Sequence, residues 1–94
     1  MTKIFTAHTV KDYDDWKTKY DADSDRRAAS GFHEGGHFHS PDDRNRFLIV
    51  WNSDLNLEEA RANVSAMYSD PELLNLMQEA GVIVEDIGYW VAED

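Results

Sequence analysis

Residues Ala7 to Lys17 read A-H-T-V-K-D-Y-D-D-W-K. This run ends a first strand, turns, and opens a first helix. Asp12 is the helix N-cap candidate: its carboxylate can accept free backbone N–H groups of the first turn, where negative charge also suits the helix dipole. Trp16 is the first large apolar anchor. Upstream, Lys3 to Val10 alternates as a strand should, with Ile4, Thr6, His8 and Val10 on one face and Phe5, Ala7 and Thr9 on the other. The junction thus sets which face of the sheet the helix covers, and where His8 points.

Downstream, Tyr13 to Ala29 has helical spacing. Tyr13, Trp16, Tyr20, Ser24 and Ala28 form one stripe, with Lys17 and Arg27 at its border; Gly31 suits the left-handed residue that ends the helix. Gly36 to Ser40 predicts a strand with Phe38 on one face and His37 and His39 on the other, and His33 falls in a loop before it. Pro41 to Asn45 is a turn by composition. Arg46 to Asn52, R-F-L-I-V-W-N, is apolar on both faces, which predicts burial on both sides. Asn56 caps a second helix, with Glu59 in the capping-box position. Asp70-Pro71 restarts the chain as cap and first helical residue, and that helix ends at Gly81. Val84 to Ala92 returns as the last strand.

The order is β-α-β-β-α-β, the split βαβ or ferredoxin-like α+β arrangement: one antiparallel sheet with its helices on one face. Its 94 residues make one domain, 1–94. No element is left to cover the second face of the strand around Leu48 to Trp51, so a second copy of the chain is the expected cover. Phe5, Ala7 and Phe38 suit the helix side. Thr6 and His8 are polar and fit a partly polar cavity on the opposite face, with His37 and His39 on that side or at its rim.

Composition narrows function. The net charge of −10, from 19 acidic and 9 basic residues, repels phosphate backbones and anionic lipid, so neither nucleic acid nor membrane is an expected partner. There is no cysteine, which excludes disulfides, thiolate metal sites and cysteine nucleophiles. The opening M-T-K-I-F-T-A-H-T-V is too poor in apolar residues for a secretory core, and the expected location is cytoplasmic.

The whole chain resembles the dimeric α/β-barrel superfamily, in particular small proteins of the antibiotic-biosynthesis-monooxygenase type. The matching pieces are H-T-V-K-D-Y-D-D-W-K (His8–Lys17), G-G-H-F-H-S-P-D-D-R-N (Gly35–Asn45) and S-D-P-E-L-L-N-L-M-Q-E-A-G-V (Ser69–Val82). The resemblance implies a homodimeric α/β barrel of two ferredoxin-like subunits packed sheet to sheet, each enclosing a cavity between its sheet and its helices or loops. It also implies chemistry on an aromatic or polyketide-like molecule: cofactor-independent oxygenation first, cyclisation or lyase chemistry next, with a non-catalytic ligand- or metal-binding dimer as the alternative class. The haem-degrading branch uses a histidine late in the second helical region. Here no histidine follows His39, which counts against haem.

His8 is the candidate proton-transfer residue, since an imidazole of ordinary pKa works as acid or base near neutral pH; a structural histidine bonded across the sheet is the alternative. Thr6, His37, His39, Trp51, Tyr68, Tyr89 and Trp90 are candidate substrate-binding residues, the aromatics as walls for a flat ligand. His37 and His39 share a strand face and with His8 could offer three nitrogens, but their spacing is not a convincing ligand motif. No metal and no cofactor are expected.

Overall fold

The computed structural model describes all residues, 1–94. Its elements are β1 (Thr2–Thr9), α1 (Tyr13–Ala22), α2 (Ser24–Ala29), β2 (Phe32–His39), β3 (Arg46–Ser53), α3 (Leu57–Met67), α4 (Pro71–Glu79), a single 3-10 turn (Val84–Asp86) and β4 (Gly88–Glu93). One antiparallel sheet has the order β2-β3-β1-β4, with β1 and β3 central. This is the ferredoxin-like arrangement.

The caps form where the sequence places them. The Asp12 carboxylate accepts from the Asp15 N–H, and Asp70 accepts from the Glu72 N–H. Asn56 and Glu59 form a reciprocal capping box. Each such cap is worth about 1 kcal/mol. Gly31 (φ 86°) and Gly81 (φ 93°) hold the left-handed positions that end α2 and α4, where a side chain would be strained. The first helical region is not continuous: it breaks at Asp23, in the run Asp21-Ala22-Asp23-Ser24. Asp and Ser are poor interior helix residues because their side chains compete for backbone hydrogen bonds. β2 starts earlier than Gly36, so His33 is in a strand rather than a loop. An irregularity between Glu34 and Gly36 interrupts its register. The last strand is shorter than the sequence pattern suggests, because its first residues form the 3-10 turn.

The largest correction concerns which face the helices cover. In β1, Thr2, Ile4, Thr6 and His8 are buried, and Phe5 and Ala7 are only half-buried. In β3, Phe47, Ile49, Trp51 and Ser53 are buried, and Leu48 and Val50 are half-buried. The core joins Ile4, Ile49 and Trp51 to Trp16 of α1 and to Ala60 and Val64 of α3. Thr6 and His8 therefore face the helices, and Phe5 and Ala7 face away. His37 turns with them, stacking on Phe47 at 5.2 Å between ring centroids. Phe38, expected on the helix side, is 60% exposed on the open face.

The reason is packing volume. Phe47 and Trp51 share one face of β3 by alternation, and β1 pairs His8 with Phe47 and Ile4 with Trp51. The face with the most aromatic surface to bury takes the helices, and Thr6 and His8 go with it.

Candidate functional site

The helices do not fill the face they cover. A cavity of about 760 Å³ remains between sheet and helices. Its floor is Ile4, Thr6 and His8 of β1 with Ile49 and Trp51 of β3. Trp16 and Tyr20 of α1 form one wall, Met67 and Tyr68 the opposite one. Leu73, Leu76 and Met77 of α4 line the lip. α4 buries no residue fully and Leu76 is 62% exposed, so its apolar side serves the cavity more than the core. At the mouth stand three cations: Lys19, Arg26 and Arg27.

Two polar residues on the floor have different fates. The Trp51 indole N–H donates to the Thr6 hydroxyl oxygen at 3.1 Å, satisfying a buried donor. His8 is 9% exposed and its Nδ1 is buried without a hydrogen-bond partner. Its ring lies among Phe47, Trp16 and Tyr68, with centroids at 5.7, 6.4 and 6.5 Å. Burial, and secondarily the nearby His37, lowers its pKa to about 4. At pH 7 the ring is neutral: an acceptor or base, not a proton donor of ordinary strength. Burial likewise pushes the Tyr68 phenol up to about 12, with the Thr6 hydroxyl opposing and Tyr89 adding to the rise. Tyr20 is also raised, by burial first and then by Glu34. Both phenols stay protonated; the Tyr20 hydroxyl donates to Glu34 at 3.1 Å, which leaves Tyr68 as the donor for a ligand.

Of the residues the sequence singles out, the cavity gathers Thr6, His8, Trp51 and Tyr68. Tyr89 stands behind Tyr68, stacked at 5.2 Å. Trp90 points to the opposite face, paired across the sheet with Phe5, and is 69% exposed. His37 and His39 lie beside the cavity rather than in it. His37 Nε2 is 3.1 Å from the Tyr13 hydroxyl and its Nδ1 is 2.9 Å from Glu34; His39 Nδ1 donates to the Arg44 carbonyl at 2.8 Å. His33 pairs with Asp54 at 2.9 Å. No group of three His, Asp or Glu side chains is arranged to hold a metal.

Sequence reasoning missed Trp16, Tyr20 and Arg27 as cavity residues, reading the aromatic stripe as filled core. A signal for Arg27 exists: Arg26 and Arg27 share one acidic residue, Asp23, at the i−3 or i−4 spacing that lets side chains meet on a helix, so one arginine goes unpaired. Arg26 takes it, through Nε and Nη2.

No helix is long and apolar enough to cross a membrane. No protein-family model matches the chain, and no curated protein matches it significantly. Solved structures do. A protein of Nitrosomonas europaea provisionally named an antibiotic biosynthesis monooxygenase superposes with a TM-score of 0.59 at 14% identity, over 100% of this chain and 98% of that one. A protein of Deinococcus radiodurans with the same provisional name gives 0.58 at 13% identity, over 100% and 92%. An Agrobacterium tumefaciens protein gives 0.55 at 14% identity, over 99% and 92%. Over its whole length, the chain therefore has the ferredoxin-like α+β fold found in proteins that carry the antibiotic biosynthesis monooxygenase name.

Proposed function

We propose that the protein is a small-molecule enzyme that oxygenates an aromatic or polyketide-like substrate in the cavity without a cofactor, with His8 as the proton acceptor. The observation that carries this reading is a neutral His8 that lines the floor of an aromatic-walled cavity, with its Nδ1 buried and without a partner. A buried polar atom without a partner costs about 1–3 kcal/mol, and a substrate hydroxyl or acidic C–H that reached the imidazole would offset that cost. Proton transfer to His8 leaves a conjugated carbanion, which passes an electron to dioxygen and recombines with it to form a C–O bond. The peroxide takes the proton back from His8, and loss of the second C–H proton breaks the O–O bond, so one oxygen stays as the carbonyl and the other leaves as water. His8 is a weak base because it is desolvated; an anion forming beside it restores its basicity. Trp16, Tyr20, Trp51 and Tyr68 would hold the flat ring system, and the phenol of Tyr68 would donate to one of its oxygens.

The open sheet face completes the assembly we propose. Phe5, Ala7, Leu48 and Val50 make a half-buried apolar strip, and Phe38 and Trp90 extend it, exposed. A contiguous apolar surface of this kind suits sheet-to-sheet packing of a second copy.

The test is oxygen uptake with a panel of hydroxylated anthrones and naphthols. His8→Gln should lower turnover by on the order of 10²–10⁴ while folding is retained; turnover at the normal rate would end the reading. A second reading, a cyclase- or lyase-type proton-transfer enzyme or a ligand-binding dimer, is favoured by the same neutral His8, which suffices as a plain acceptor. Saturable binding with no oxygen uptake is its signature.

A further inference from the structure

Resting on that reading of the cavity as a small-molecule site, we propose that Arg27 makes it selective for aromatic carboxylates, with the acid at the mouth and the ring system over Trp51. Three cations stand at the mouth, and two are neutralised: Lys19 by Asp15 at 3.1 Å, and Arg26 by Asp23. Arg27 has no carboxylate within 4 Å. Its Nη1 donates to the Tyr20 carbonyl at 2.7 Å, the one hydrogen bond its side chain makes. A guanidinium carries five N–H donors in a planar fork, so the rest are free for a bidentate acceptor.

The fork is also held in place. It lies 3.6 Å from the Tyr20 ring centroid and 5.9 Å from that of Trp51. Stacking of this kind restrains the arginine before ligand arrives, so less freedom is lost on binding. From Trp51 the floor continues through Thr6, which accepts its indole N–H, to His8 about 7 Å further along β1. The two ends of the floor therefore make different demands. The inner end presents an imidazole in apolar surroundings, and the outer end presents an unpaired cation. A flat apolar body with an acid at one end and a proton to give at the other meets both.

The protein's net charge of −10 does not forbid an anionic ligand. At physiological salt, exposed charges beyond about 8 Å are largely screened, so a guanidinium in contact dominates.

The experiment compares naphthalene carboxylate with its methyl ester, following tryptophan fluorescence and confirming by calorimetry. The wild type should bind the acid about 10-fold or more tighter than the ester. Arg27→Gln should weaken the acid by about 10- to 100-fold, the reach of a charged hydrogen-bonded pair, and leave the ester within about twofold. Arg27→Lys should keep part of the preference, as a point charge without the fork. Salt raised from about 0.05 to about 0.5 M should narrow it. Equal binding of acid and ester by the wild type, or a preference that survives Arg27→Gln, overturns the Arg27 anchor and leaves the cavity reading standing. Binding of neither probe overturns both. Should Arg27→Gln not fold, the wild-type preference, its salt dependence and Arg27→Lys still decide.

Discussion

The buried, neutral state of His8 makes stability depend on pH in a defined window. An exposed imidazole titrates at 6.5, and His8 in the folded protein at about 4. Between those values the unfolded chain binds a proton that the folded chain does not, so acid favours unfolding. The stability His8 contributes in its neutral form is fully present above pH 6.5 and is lost as pH falls towards 4. At about 1.36 kcal/mol per pH unit, the ceiling is about 3.4 kcal/mol, reached below pH 4. The loss is about 2 kcal/mol at pH 5 and about 3 kcal/mol at pH 4. The acidic side chains also titrate in this range, so the informative quantity is a difference. Urea unfolding followed by circular dichroism at pH 7, 6, 5 and 4 should show the wild type losing about 3 kcal/mol more than His8→Phe. Phenylalanine keeps an aromatic ring among Phe47, Trp16 and Tyr68 and carries no proton. The imidazole carbon shifts of His8 should stay in their neutral positions through pH 5. Parallel stability curves for the two proteins, or an imidazole midpoint near 6.5, would refute the reasoning.

Further expectations concern the fold and its assembly. Thr6→Val removes the acceptor of the Trp51 indole N–H and should cost about 1–3 kcal/mol of stability, read from urea midpoints; a loss below about 0.5 kcal/mol would show that the bond is dispensable. Trp90→Glu places a charge on the open sheet face, where the side chain is already 69% exposed. It should leave the monomer fold intact by circular dichroism while sedimentation shows a dimer giving way to monomer; a monomeric wild type at micromolar concentration would remove the assembly altogether. Gly31→Ala forces a side chain at φ 86° with Asp54 Cβ 3.4 Å away and should lower stability by about 1 kcal/mol, measured as a shift in Tm.

The elements were legible because each is marked by short-range chemistry: caps at Asp12, Asn56 and Asp70, glycines at 31 and 81, alternation in β1 and β3. The side of the sheet was not. Alternation says that Ile4, Thr6 and His8 share a face, but not which face the helices take. Polarity argued that Thr6 and His8 turn away from the helices, on the rule that buried polar groups need partners. Thr6 has one, in Trp51, which lies 45 residues away in the sequence and is invisible until β1 and β3 are in register. His8 lacks one at Nδ1, and that exception to the rule marks the candidate site. Phe38 misleads for the converse reason: a large apolar side chain reads as core, whereas it sits exposed on the face the helices leave open. Arg27 reads as the border of one continuous helical stripe but lies on the separate α2, and its lack of a carboxylate follows from Arg26 pairing with Asp23, a contest decided only by side-chain geometry.

The cavity joins two parts of very unequal rigidity. His8 rides on β1, which is bonded to strands on both sides. Arg27 rides on α2, six residues with no buried side chain and no side-chain bond at its N-cap. A helix so short has little stability of its own, and segments with few buried contacts open at low free-energy cost. Amide exchange should therefore be slowest in β1 and β3 and among the fastest in Ser24 to Ala29. The Arg27 end of the floor is thus carried by a helix with no buried side chain, and the His8 end by a strand bonded on both edges.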